Sequence, residues 1–77
     1  MNKERRKKLT DLFERVEAIK DEVEELSADE WDAFNALPEN LQGSERGEQM
    51  ENIANDLDEA FGLLEDVLEY LENALSE

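Results

Sequence analysis

The sequence contains no cysteine and no histidine. Without cysteine there is no disulfide, no thiolate nucleophile and no sulfur ligand for zinc. Without histidine there is no imidazole base, no Ser-His-Asp triad and no imidazole metal ligand. Proline occurs once and glycine three times, so few backbone breaks interrupt the 77 residues. Aromatic residues make up 6% and hydrophobic residues 39%, and 77 residues allow one small domain. No apolar run approaches the ~20 residues that cross a bilayer. No signal-type apolar segment follows the charged start Met1-Asn2-Lys3-Glu4. A cytoplasmic location without a membrane partner is therefore expected. Positive charge is scarce: eight Lys and Arg stand against 23 Asp and Glu, for a formal charge of −15.

What is present is helical periodicity. Leu9, Leu12, Val16, Ile19, Val23 and Leu26 recur at alternating steps of three and four. The count continues through Glu30, Ala33 and Leu37, with Phe13, Trp31 and Phe34 flanking it. That is a helix period, with no strand-like alternation. Ser27-Ala28-Asp29-Glu30 has the form of a capping box, which leaves a kink at Ser27 open. The aromatic positions beyond it stay in phase, which favours one helix over residues 3–36. Leu37-Pro38-Glu39-Asn40-Leu41-Gln42-Gly43-Ser44 then breaks the pattern. Pro38 disfavours the α conformation at Leu37, so a turn is expected over 37–43. Ser44 is placed to cap a second helix, and Glu45 and Glu48 suit the positive end of its dipole. That helix, over 44–75, carries the seam Met50, Ile53, Leu57, Ala60, Leu64, Val67, Leu71 and Ala74. Ala54, Phe61, Leu68 and Leu75 widen it on one side.

Two matched helices and a short connection predict an all-α fold. It is an antiparallel, coiled-coil-like two-helix hairpin, a single domain over 1–77. With the turn near residue 40, Leu9 meets the region of Leu71, Val16 meets Leu64 and Val23 meets Leu57. Five of the eight basic residues, Lys3, Arg5, Arg6, Lys7 and Lys8, then lie beside Glu69, Glu72 and Glu77. Charge matching to the acidic end of the second helix explains this run; a nucleic-acid or targeting patch is the alternative. Leu63 and Tyr70 lie on the opposite flank of the second helix from Phe61 and Leu68. One neighbouring helix does not cover so wide an apolar arc. A second chain does, so a homodimeric four-helix bundle is expected, with Ala60, Leu63, Val67 and Tyr70 at the interface.

Chemistry finds little support. Asp56-x-Asp58-Glu59 sits within a helix, whereas a calcium loop needs a glycine turn and a closing glutamate. A di-iron bundle site needs Glu-x-x-His. Gly43 and Gly47 lack the Lys-Ser/Thr pair of a phosphate loop. Paired carboxylates for glycoside chemistry need a cleft that two helices do not form. The expectation is no catalytic residue, no metal, no cofactor and no enzyme. Two features remain as candidates for binding. From Gln49 onward no side chain is positive, and Glu48, Glu51, Glu59, Asp66 and Glu69 face away from the expected seam. Such rows either solvate the protein or present carboxylates where DNA presents phosphates. At the hairpin tip, Glu30 on the seam is expected to pair with Arg46, with Trp31 and Phe34 packed beside them. The same residues could form a partner-binding tip. Gly47 is expected to let Trp31 or the loop approach closely.

The segment Pro38-Glu39-Asn40-Leu41-Gln42-Gly43-Ser44-Glu45-Arg46-Gly47-Glu48-Gln49-Met50-Glu51 resembles the central turn of small acidic helical proteins of unassigned function. These are encoded by phages, prophages and mobile elements of Gram-positive bacteria, and share a P-E-x-L-Q-x-S-E-R-G-E-x-M-E pattern. The resemblance covers the turn and extends to the helices only as pattern. It implies a phage-type origin and a bacterial host cytoplasm, and no activity. Together these readings lead to two expectations. One is a DNA-mimic inhibitor that binds a nucleic-acid-binding bacterial protein and binds no nucleic acid itself. The other is a self-associating structural or assembly module.

Overall fold

The structure, a computed structural model, describes all residues from Met1 to Glu77. Helix α1 spans Lys3–Asn35, a single turn α2 spans Glu39–Gln42, and α3 spans Glu45–Ser76. Each long helix begins on a side-chain cap. The Asn2 Oδ1 atom accepts from the backbone N–H of Arg5 at 2.8 Å. The Ser44 Oγ accepts from Gly47 at 3.2 Å. These satisfy amide groups that have no partner inside the helix. The connection expected as a plain turn over 37–43 holds a turn of helix. Pro38 starts it, because its carbonyl accepts from Leu41 at 2.8 Å and from Gln42 at 3.2 Å. Proline suits that position, where it has no intrahelical N–H to lose. Helix α1 continues uninterrupted through Ser27.

Helices α1 and α3 pack side by side into a rod of 58 × 14 × 13 Å. Contacts running from Arg6–Leu75 through Lys20–Phe61 to Ser27–Asp58 make the pair antiparallel. The core is thin. Ala54 and Leu68 are its buried apolar residues, joined by Ser27 and Gly47.

The seam differs from the expected one on both helices. On α1 the half-buried positions are Arg6, Leu9, Phe13, Val16, Lys20, Val23, Glu30, Trp31 and Phe34, with Ser27 buried. Leu12, Ile19, Leu26 and Ala33, expected inside, are exposed. On α3 the seam follows Met50, Ala54, Leu57, Phe61, Leu64, Leu68, Leu71 and Leu75, while Ile53 and Val67 are exposed. Each helix is turned by about half the angle between neighbouring ridge positions, roughly 50°. The cause is size matching across a close pair. The small, fully buried Ala54 suits close approach of the helices, and the larger Phe13, Phe61 and Leu68 share the seam with it.

Gly47 is buried because the connection folds over it. A Cβ there would lie 2.2 Å from the Gln42 carbonyl oxygen and 2.6 Å from that of Leu41. The close approach expected at this glycine is made by the loop and not by Trp31.

Candidate functional site

The hairpin has two unlike long sides, and one hydrogen bond identifies which residues share each. Trp31 Nε1 donates to Asp58 Oδ2 at 3.0 Å. Trp31 therefore marks one flank of α1, and Asp58 marks the adjoining flank of α3. Leu12, Ile19 and Leu26, spaced by seven, occupy the opposite flank of α1. Ile53, Ala60 and Val67, also spaced by seven, occupy the opposite flank of α3. These six residues line the same side of the rod. Leu63 and Tyr70 extend it around the outer edge of α3.

Seven of the nine exposed large hydrophobic residues lie on this side; Met1 and Leu41 are at the ends. Scattered apolar residues are ordinary on a surface, but residues gathered along one side make that side a candidate interaction surface. Exposure rises from 43% at Leu12 and Val67 to 63% at Leu63 and 74% at Tyr70. Of the expected dimer residues, Leu63, Val67 and Tyr70 are exposed and Ala60 is half-buried.

The other side is polar and tied together. Ser27 Oγ and Trp31 Nε1 both donate to the Asp58 carboxylate. These two bonds hold the Asp58 carboxyl below its ordinary value of 3.8, the Ser27 hydroxyl being the larger cause. Trp31 also meets Phe34 edge-on, with ring centroids 6.1 Å apart and planes at 84°. This clamp explains why a serine is tolerated in the seam: its hydroxyl is satisfied across the helix pair. Asp58 lies about a turn from the residue level with Ser27, so apolar periodicity alone does not pair the two.

Glu48, Glu51, Glu59, Asp66 and Glu69 are all exposed, on the outer and clamp-side surface of α3. The only ion pair in the chain is Arg15 Nε–Asp11 at 3.0 Å, so none of these five is neutralised internally. Two expected pairings are absent. Glu30 is half-buried and Arg46 exposed, with no ion pair between them. The register places Arg46 level with the end of α1, more than a turn beyond Glu30. The tip residues Glu30, Trp31, Phe34 and Arg46 therefore do not form one cluster. The basic run also makes no ion pair with Glu69, Glu72 or Glu77. Its link to α3 is Arg6, whose guanidinium donates to the Leu75 carbonyl. That oxygen is one of the unpartnered carbonyls of a helix end, where positive charge is favoured.

Two open hollows lie on α1 beside its exposed leucines. One surrounds Leu12 and is rimmed by Lys7, Lys8 and Arg15 together with Glu4 and Asp11. The other surrounds Leu26 and is rimmed by Glu22, Glu25 and Asp29. No group of three or more carboxylates is placed to hold a metal ion. No helix is long and apolar enough to cross a membrane. Comparison with protein-family models, curated proteins and solved structures finds no match.

Proposed function

We propose that the chain is a non-enzymatic interaction protein whose carboxylate surface stands in for the phosphates of DNA. In this reading it occupies, and so inhibits, a basic nucleic-acid-binding site on a protein of its bacterial host. The observation that supports it is the row Glu48, Glu51, Glu59, Asp66 and Glu69, exposed and without an internal cation on a straight helix. Residues three and four apart on a helix are ~5–6 Å apart at Cβ, similar in order to phosphates along a strand. The 58 Å rod matches about 17 base pairs at ~3.4 Å each. A formal charge of −15 steers such a rod toward a basic cleft.

The test is capture of a nucleic-acid-binding protein from bacterial lysate at low salt, followed by elution with duplex DNA. The expected result is release by DNA and loss of capture when all five acids are changed to Gln. Gln and Glu have similar helix propensity, so the fold is kept. Undiminished capture by that variant overturns the reading. The apolar side favours a second reading, a self-associating assembly module with no inhibitory role. That reading predicts self-association and no DNA-competed target.

A further inference from the structure

We infer that the apolar side is covered by a second copy of this chain, laid face to face with the hairpin tips at opposite ends and α1 packed antiparallel on the partner's α1. This rests on the apolar side and the charges around it, and is independent of the DNA-mimic reading.

The area fits a dimer. The chain exposes 5918 Å². A compact monomer of 8.9 kDa exposes about 4,800 Å². The excess, about 1,100 Å², exceeds the ~800 Å² per partner that a standard interface removes from water.

The orientation follows from the sequence of α1. Ile19 lies midway along Lys3–Asn35. Leu12 and Leu26 stand seven residues to either side of it, ~10 Å along the axis. A two-fold axis through Ile19 and perpendicular to the rod sets Leu12 against the partner's Leu26, twice, and Ile19 against the partner's Ile19. The hollows then meet as opposites. The rim with Lys8 and Arg15 faces the all-acidic rim with Glu22 and Asp29. Lys8 falls level with the partner's Asp29, and Arg15 with the partner's Glu22, each within one residue. In antiparallel helix pairs, charges flanking the seam select partner and direction in this way. The basic ends also come to lie over the partner's Asp29, Glu30 and Asp32, away from one another.

The other face-to-face arrangement brings the tips together and lays α1 on the partner's α3. It sets the acidic rim of Leu26 against a helix with no cation after Arg46. Leu26 then falls near the partner's Asp56. Like charges and an apolar residue against a carboxylate gain nothing from burial, and α3 meets an acidic neighbour in either arrangement, so the complementary rims of α1 make the difference.

The experiment has two arms. Sedimentation of the whole chain should give about twice 8.9 kDa at micromolar concentration. Lys8→Glu with Arg15→Glu should weaken the dimer by on the order of tenfold or more. Adding Glu22→Lys with Asp29→Lys should restore it. Adding Glu17→Lys with Glu24→Lys instead returns the same net charge on the clamp side and should restore nothing. Equal rescue by both, or no effect of the first pair, overturns the inference. In the second arm Asn40→Cys, the only thiol in the chain, carries one spin label in the connection. Tips at opposite ends predict a label separation near the 58 Å rod length. A short separation, or a monomer at all concentrations, overturns the inference without any change to the interface.

Discussion

Replacing Gly47 with alanine tests the packing of the connection against α3. Helix propensity alone predicts a gain of about 1 kcal/mol, because Gly47 lies in the first turn of a long helix. The geometry predicts the reverse. The new Cβ would sit 2.2 Å from the Gln42 oxygen, where contacts below 3.0 Å are essentially never seen. The obstacle is backbone, so no side-chain rotation relieves it, and α2 has to retreat by nearly an ångström. Overpacking of this kind costs about 1–3 kcal/mol. Retreat also pulls Leu41 from Ser44, whose N–H donates to the Leu41 carbonyl at 3.1 Å. Ser44 is the cap of α3, and loss of a cap costs about 1 kcal/mol. The net expectation is destabilisation by about 1–3 kcal/mol.

Gly62 supplies the control on the same helix. A Cβ there meets nothing within 4 Å. Gly62→Ala should therefore stabilise by about 1 kcal/mol. At ~4–8 °C per kcal/mol for a chain of this size, the two variants should melt on opposite sides of the wild type. Thermal and urea unfolding followed by circular dichroism, at one fixed protein concentration, measures both. A Gly47→Ala variant as stable as Gly62→Ala would refute the close approach of the loop.

Two further outcomes follow from single contacts. Asp58 is held below its ordinary value by hydrogen bonds from Ser27 and Trp31. The stability it contributes is therefore complete above about pH 4 and is lost as pH falls through the depressed value. Asp58→Asn should flatten the acid limb of a melting-temperature profile, and parallel acid limbs in the two proteins would rule the clamp out. Arg6→Ala removes the cap on the Leu75 carbonyl and should speed amide exchange in the last turn of α3. Lys7→Ala, beside it and without that contact, should not; identical exchange in both variants would remove Arg6 from the account.

The existence of two helices was legible because the apolar spacing is regular over long stretches and one proline-glycine cluster interrupts it. The caps were legible for the same local reason: Ser44 precedes Glu45 and Glu48, and its cap geometry needs no distant residue. The rotation of the seam was not legible. In α3, Ile53, Ala60 and Val67 and their neighbours Ala54, Phe61 and Leu68 are equally apolar, so composition does not choose between them. The choice is made by shape, through Ala54 on one helix and Phe13 on the other, with the connection closing over Gly47. The clamp of Ser27, Trp31 and Asp58 was hidden because it depends on the offset between helices. A periodicity argument fixes that offset only to about a turn. The pair Glu30–Arg46 is absent for the same reason: both lie near the tip, but the register sets them more than a turn apart.

The rotated seam gives the molecule its two-sidedness. Inside the hairpin, the rotation brings Phe13, Lys20, Ser27 and Phe34 of α1 onto the seam, and Ala54, Phe61 and Leu68 of α3. Outside, α1 leaves Leu12, Ile19 and Leu26, which are wholly apolar. Burying Leu12, Ile19 and Leu26 would contribute about 1.5–3 kcal/mol each, at the loss of Phe13 and Phe34 from the seam. Lys20 spends its seam position over the Phe61 ring, 5.7 Å from the centroid, with its stem packed and its ammonium near water. On α1 the exposed flank Leu12, Ile19 and Leu26 lies where the proposed second copy would reach it and α3 does not. The carboxylates of α3 lie on the remaining surface, which pairing through the apolar side leaves open. A dimer so built carries twice the charge of −15 and displays an acidic row from each α3. In the proposed dimer, self-association and acidic display would use different sides of one hairpin, so substitutions on one side are expected to leave the other intact.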